Sequence, residues 1–199
     1  MKSPMEISRD AEEAVKNSFQ EHVEMSSTAS LHPALALDVC CGPRSMWFNK
    51  ADPRAVFVDR REEEHEKPRK CRKNVTRIEI KPDVLADFTE LPFEDETFYH
   101  VVMDPPHYTE RAAGRGHILK YYGCLFPGWQ EMLTDGFREC FRVLKPGGTF
   151  IFKWCEHEIP LREILALTPE KPLYGHRTGS REKTHWVAFI KQGKGSMET

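Results

Sequence analysis

The chain has 199 residues, 39% hydrophobic and 30% charged, with a formal net charge of −2, so one domain can bury a core without disulfide or metal staples. No apolar run approaches the roughly 20 residues of a membrane-spanning helix, and Met1 to Asp10 lack the apolar stretch of a secretory signal; a cytoplasmic protein with no membrane partner is expected. Cys40, Cys41, Cys71, Cys124, Cys140 and Cys155 form no C-x-x-C pair, which points to reduced, mostly buried thiols and to no metal site.

Residues 9–25 read as an amphipathic helix, because Ala11, Val15, Phe19 and Val23 recur every fourth position. Ser8 suits the N-cap, and Asp10, Glu12 and Glu13 suit the first turn. Ala34 to Val39 reads as a buried strand ending in the turn Cys41-Gly42-Pro43, and Ala55 to Val58 as a second strand ending at Asp59. Segment 60–74 has no apolar periodicity and is expected as an exposed loop with some helix. Val75 to Ile80 alternates as a strand does, and Tyr99 to Met103 forms another, followed at once by Asp104-Pro105-Pro106.

The polar, glycine-containing stretch 107–127 is longer than compact domains usually hold without a functional reason. Trp129, Met132, Leu133, Phe137, Cys140, Phe141 and Leu144 then trace one face of a helix, which Lys145-Pro146-Gly147-Gly148 should stop. A strand at Thr149 to Trp154, a short helix at Leu161 to Leu167, and strands at Leu173 to His176 and His185 to Lys191 close the chain. The last two suit an antiparallel edge hairpin turning at Thr178-Gly179-Ser180. Strands alternating with helices imply a mainly parallel sheet covered on both faces.

Charge is segregated. Lys67, Arg69, Lys70, Arg72, Lys73 and Arg77 fall in one stretch without an acid; Lys171, Arg177, Arg181, Lys183, Lys191 and Lys194 face only Glu182 in another. A polyanionic partner and a pair of solvated loops both fit this pattern.

In an open α/β sheet, ligands lie outside the carboxyl ends of the strands. Asp38 and Asp59 fall there, at about the 20-residue spacing that separates a nucleotide-binding turn from the carboxylate gripping ribose hydroxyls. Leu37-Asp38-Val39-Cys40-Cys41-Gly42 resembles the first motif of class I S-adenosylmethionine-dependent methyltransferases, and Asp59 their acidic residue after the second strand. Ala86-Asp87-Phe88, Leu91-Pro92-Phe93, Phe98 to Val102 and Phe141 to Gly148 are similar to later family segments, in the same order. The family usually has glycine where Cys40 stands, so a side chain narrows the backbone's approach to the cofactor.

The resemblance implies an α/β, Rossmann-like class I methyltransferase sandwich: a mostly parallel seven-stranded sheet with an antiparallel edge hairpin and helices on both faces. It would form one domain over 1–199, an N-terminal helix in 1–30 and a catalytic core in 31–199. The implied cofactor is S-adenosyl-L-methionine. Asp38 would fix the loop and the methionine amine, Gly42 (with Cys40) would admit the cofactor backbone, Asp59 would hold the ribose, and Asp87 and Phe88 the adenine. The alternative for Asp87 is the N-cap of a helix over Phe88 to Leu91.

Asp104-Pro105-Pro106-His107 resembles the Asp/Asn-Pro-Pro-aromatic signature of amino-methyltransferases acting on adenine, cytosine, guanine or glutamine. Prolines donate no hydrogen bond, so neighbouring carbonyls stay free for a ligand. In that family such a strip accepts hydrogen bonds from a conjugated amine and favours its attack on the methyl group, with His107 stacking on the base. A Pro-Pro turn that merely ends a strand is the plain alternative. Tyr108, Arg111 and Lys153 are expected as substrate contacts and His185 as either a substrate contact or a hydrogen-bonded structural histidine, whereas Trp154 and Trp186 are expected in the core. The implied function is methylation of an exocyclic amine of DNA or RNA, adenine N6 foremost, with nucleic acid as partner. Methylation of a protein glutamine or small amine, and a cofactor- or nucleic-acid-binding module without turnover, are the other two readings.

Overall fold

The structure, a computed structural model, describes residues 35–67, 76–113, 117–177 and 183–193. The helix expected at 9–25, most of the basic 67–77 stretch and the turn at 178–180 lie outside the described residues.

Nine strands and four helices are described: β1 (Ala36–Asp38), β2 (Ala55–Asp59), β3 (Glu63–Lys67), β4 (Thr76–Ile80), β5 (Val84–Leu85), β6 (Phe98–Met103), α1 (Glu110–Ala113), α2 (His117–Tyr122), α3 (Trp129–Val143), β7 (Leu144–Cys155), α4 (Leu161–Leu165), β8 (Tyr174–Arg177) and β9 (Thr184–Ile190). Seven strands form the main sheet in the order β5-β2-β1-β6-β7-β9-β8. The pairs from β5 to β7 are parallel, and β9 runs antiparallel to both β7 and β8. This is the doubly wound, Rossmann-like sheet with an antiparallel edge. The order reverses beside β1, so the tips of β1, β2 and β6 meet at the switch point, where such sheets bind ligands.

The apolar pattern explains the core. Registers align Val56, Leu37, Val101, Phe150 and Phe189 across one face, with Met103, Phe152 and Val187 in the next row; all belong to one buried cluster, with Val39 and Val58. Helix α3 covers this face with Leu133, Phe137, Cys140 and Phe141, whose rings meet Phe150, Phe152 and Phe189 edge-on or tilted. Ile164 of α4 joins the same cluster, as does Trp154. On the opposite face Phe57 packs edge-on against Trp47, from the turn-rich segment between β1 and β2.

Gly136 has a packing reason. A Cβ there would stand 2.6 Å from the Phe88 ring, so glycine lets Phe88 lie against α3. Arg142 then staples the segment around it: its guanidinium donates to Leu91 O, Phe93 O, Asp95 Oδ1 and both Glu139 oxygens at 2.7–2.9 Å. Burial pushes the Glu139 carboxyl up, but the bonds from Arg142 and Leu91 N outweigh it and leave the net shift downward.

Several expectations change. Glu63–Lys67, expected within a loop, is a strand, and β4 pairs with it in a separate two-stranded sheet. The parallel edge of the main sheet is instead the two-residue β5, too short to leave a sequence pattern. The Lys145-Pro146-Gly147-Gly148 stop lies inside β7, where Gly147 takes a φ of 76° and the register with β6 shifts. Residues 88–91 form turns rather than a helix, and 107–127 holds the short helices α1 and α2.

Candidate active site

A cavity opens at the switch point, walled by the β1–β2 turn, the residues after β2 and β6, the end of α2, and Phe88 and Lys153. Asp38 is fully buried behind it. Its Oδ1 accepts from Cys40 N (3.3 Å) and its Oδ2 from Trp47 Nε1 (2.7 Å). Burial, helped by the charges of Asp104 and Asp59, outweighs those bonds and pushes its carboxyl up to about 7. Asp38 therefore braces the loop from below.

Asp59 ends β2 and closes the turn from the other side. Gly42, in the left-handed region at φ 48°, donates its N–H to Asp59 Oδ2 at 2.9 Å. Arg61 donates to Oδ1 through its backbone N (3.0 Å) and its Nε (3.4 Å). The same guanidinium reaches Lys120 O and Tyr121 O at the end of α2 (3.3 and 3.4 Å), so Arg61 ties the long 107–127 segment to the β2 tip.

Asp87 Oδ1 accepts from Thr89 N and Thr89 Oγ1, at 3.1 and 3.0 Å. These bonds close a turn with no helix behind it, while Oδ2 stands 3.8 Å from Arg60 Nη1. Phe88 is buried and lines the cavity.

At the β6 tip, Cys40 Sγ accepts from Asp104 N at 3.1 Å. Burial, with Asp38 beside it, raises the Cys40 thiol well above its usual range, so it stays protonated. The Cys40 side chain therefore anchors the strip. Asp104 Oδ2 contacts Lys153 Nζ at 2.5 Å, whereas Asp104 Oδ1 is buried with no hydrogen-bond partner among the described residues. Pro105 is buried and Pro106 half-buried, both against the cavity. His107 also lines it, 4.7 Å from the Tyr108 ring and edge-on to Trp154 at 6.1 Å. Burial lowers the His107 imidazole, against the pull of Asp104, so its ring is neutral at neutral pH. Thr109 fixes the strip's exit, donating through N and Oγ1 to Glu158 at 2.8 and 3.1 Å.

The expected site residues thus separate. Cys40, Gly42, Asp59, Phe88, Asp104, Pro105, Pro106, His107 and Lys153 share the cavity wall. Asp38 supports it from beneath. Tyr108 packs between His107 and His157, Arg111 is exposed on α1, and His185 contacts Glu156 at 2.9 Å; none of these three, nor Asp87, lines the cavity. Trp154 is core as expected, while Trp186 is half-buried with Lys153 Nζ 5.5 Å from its ring centre. Sequence reasoning missed Arg61, Trp47 and Cys124. Arg61, two residues past Asp59, carried a local signal; the other two did not.

No protein-family model and no curated protein matches the sequence. Among solved structures, the chain is similar to the 1,6-didemethyltoxoflavin-N1-methyltransferase of Burkholderia thailandensis, solved with S-adenosylhomocysteine: 12% identity, 97% of this chain and 92% of that chain covered, TM-score 0.48. A putative S-adenosyl-L-methionine-dependent methyltransferase of Methanococcus maripaludis gives 12% identity, coverages of 93% and 92%, and TM-score 0.43. The 16S rRNA methyltransferase KamB gives 12%, 88% and 93%, and 0.44.

Proposed function

We propose that the protein is an S-adenosylmethionine-dependent methyltransferase acting on an exocyclic amino nitrogen of a nucleic-acid base, adenine N6 foremost. The observation that carries this is the buried Oδ1 of Asp104, which has no hydrogen-bond partner among the described residues, in the Asp-Pro-Pro-His strip held at the switch point by Cys40 and Lys153. The cofactor supplies an electrophilic methyl group on a sulfonium cation.

The residues present fit such a cation. Asp59 and Asp104 both act electrostatically on Asp38 at adjacent strand tips, and a positive group beside a carboxylate favours its ionised form. Gly42 keeps side-chain bulk away at the turn. Phe88 offers an apolar wall for an adenine ring. Asp59 already accepts three bonds, which leaves it limited capacity for a ribose hydroxyl.

On the acceptor side, the chain's own groups orient the nucleophile. Asp104 Oδ1 and the Pro105 carbonyl accept the amine's two N–H bonds, which directs the nitrogen lone pair away from the ring plane. Neutral His107 stacks on the base, a contact worth about 1–3 kcal/mol. Once the N–C bond forms, the nitrogen carries an extra proton, and Asp104 is positioned to take it.

A specific observation favours a second reading, a protein or small amine. The described β3–β4 ribbon carries Glu63, Glu64, Glu66 and Glu79 against Lys67 and Arg77, with Glu79 opposite Glu64, while Arg61 bonds to Asp59 and Arg60 faces Asp87. Incubation with methyl-labelled cofactor and DNA, RNA or whole-cell protein, followed by digestion, distinguishes the two. Label in a base, lost steeply as salt rises, is the expected result; label confined to protein overturns the nucleic-acid reading.

A further inference from the structure

The neighbour of Asp104 adds chemistry that the strip alone lacks. Met103 pairs with Phe152, so the next residues, Asp104 and Lys153, stand side by side at the tips of β6 and β7. Lys153 Nζ contacts Oδ2 at 2.5 Å and leaves Oδ1 open. Trp186, the register partner of Lys153 on β9, closes one side with its ring 5.5 Å from Nζ. Both Asp104 and Lys153 line the cavity. An ammonium carries three donor hydrogens; one serves Oδ2, and among the described residues Nζ has no other hydrogen-bond acceptor.

We propose that Lys153 is a specificity-determining residue, forming with Asp104 an acceptor–donor couple that selects an amine whose carbon also bears an sp2 acceptor. The adenine N6/N1 edge and the cytosine N4/N3 edge have this form, and so does a carboxamide. Asp104 Oδ1 takes the N–H while Lys153 donates to the ring nitrogen or carbonyl beside it. A saturated alkylamine offers no such acceptor and leaves the Lys153 donor unpaired, so the couple rejects it. A site built to hydrogen-bond a group discriminates against an analogue without it, because its own half-buried polar atom then loses its partner. This inference rests on the methyl-transfer reading above.

The test compares wild type, Lys153→Met and Lys153→Arg on oligonucleotides containing adenine or 1-deazaadenine, and cytosine or 3-deazacytosine. Each analogue keeps the amine and replaces the ring nitrogen with C–H. Wild-type kcat/KM should fall roughly 10- to 100-fold on the deaza base, the loss of one hydrogen bond to a charged donor. Lys153→Met should fall by a similar factor on the natural base and no longer distinguish the two, whereas Lys153→Arg keeps the discrimination. Binding of S-adenosylhomocysteine to Lys153→Met, measured by calorimetry, verifies a folded site. A residue that only held Asp104 in place would lower both bases equally. Equal wild-type rates on natural and deaza bases, or wild-type discrimination retained in Lys153→Met, overturns the proposal alone. Absence of wild-type transfer to any amine-bearing oligonucleotide overturns the methyl-transfer reading and this proposal with it.

Discussion

The two halves of the cavity differ in how far the protein satisfies its own polar groups. On the β1–β2 side, Asp38 and Asp59 bond to Cys40, Trp47, Gly42 and Arg61, so that wall is assembled before any ligand arrives. On the β6–β7 side, Asp104 is half engaged: Lys153 holds one oxygen and the other is buried without a partner among the described residues. A buried acceptor left open costs about 1–3 kcal/mol, a cost most readily understood where a ligand completes the bond. The closed half therefore reads as scaffold and docking wall, the open half as the place where chemistry occurs.

Substitutions can break that contrast. Asp104→Ala should lower methyl transfer by at least about 100-fold, as removing a charge-positioning group from an active site does, with S-adenosylhomocysteine affinity near wild type. Transfer retained at the wild-type rate would show that Oδ1 is not the acceptor. Asp59→Ala should show the converse pattern. It frees Gly42 N and Arg61, so cofactor affinity should weaken roughly 10- to 100-fold, with about 1–3 kcal/mol lost from stability. Calorimetry and urea denaturation read the two separately, and undiminished affinity would assign Asp59 a purely local role.

The smallest effect sharpens the scaffold half through pH. Asp38 sits near pKa 7 in the folded chain, against about 4 when unfolded. Between these values the folded state holds a proton that the unfolded state has released, so stability falls as pH rises from about 4 to 7 and then levels. Asp38→Asn removes this dependence. The melting-temperature difference between variant and wild type should therefore move in the variant's favour from pH 5 to pH 8. A difference that stays flat across that range would mean that Asp38 is already ionised at pH 5.

Much of this arrangement is legible in the sequence where local pattern decides structure. The apolar stripe from Trp129 to Leu144 gave α3 because its period matches a helix, and the short apolar run before Asp104-Pro105-Pro106 gave β6. Charge misled at Glu63–Lys67, whose five residues contain no apolar side chain; pairing with β4 makes them a strand. Helix α3 also ends before Lys145-Pro146-Gly147-Gly148, because β7 begins at Leu144 to pair with Phe98. Site contacts across large separations were not visible at all. Cys40 meets Asp104, and Arg61 meets the end of α2, only after the sheet order brings their strands together.

The most direct measurement is a crystal structure with S-adenosylhomocysteine bound. The expected result places its sulfur beside Asp104 and the Pro105 carbonyl, with its ribose toward Asp59 and its adenine against Phe88. A ligand seated away from both Asp59 and Asp104 would contradict the division between an assembled wall and an open acceptor.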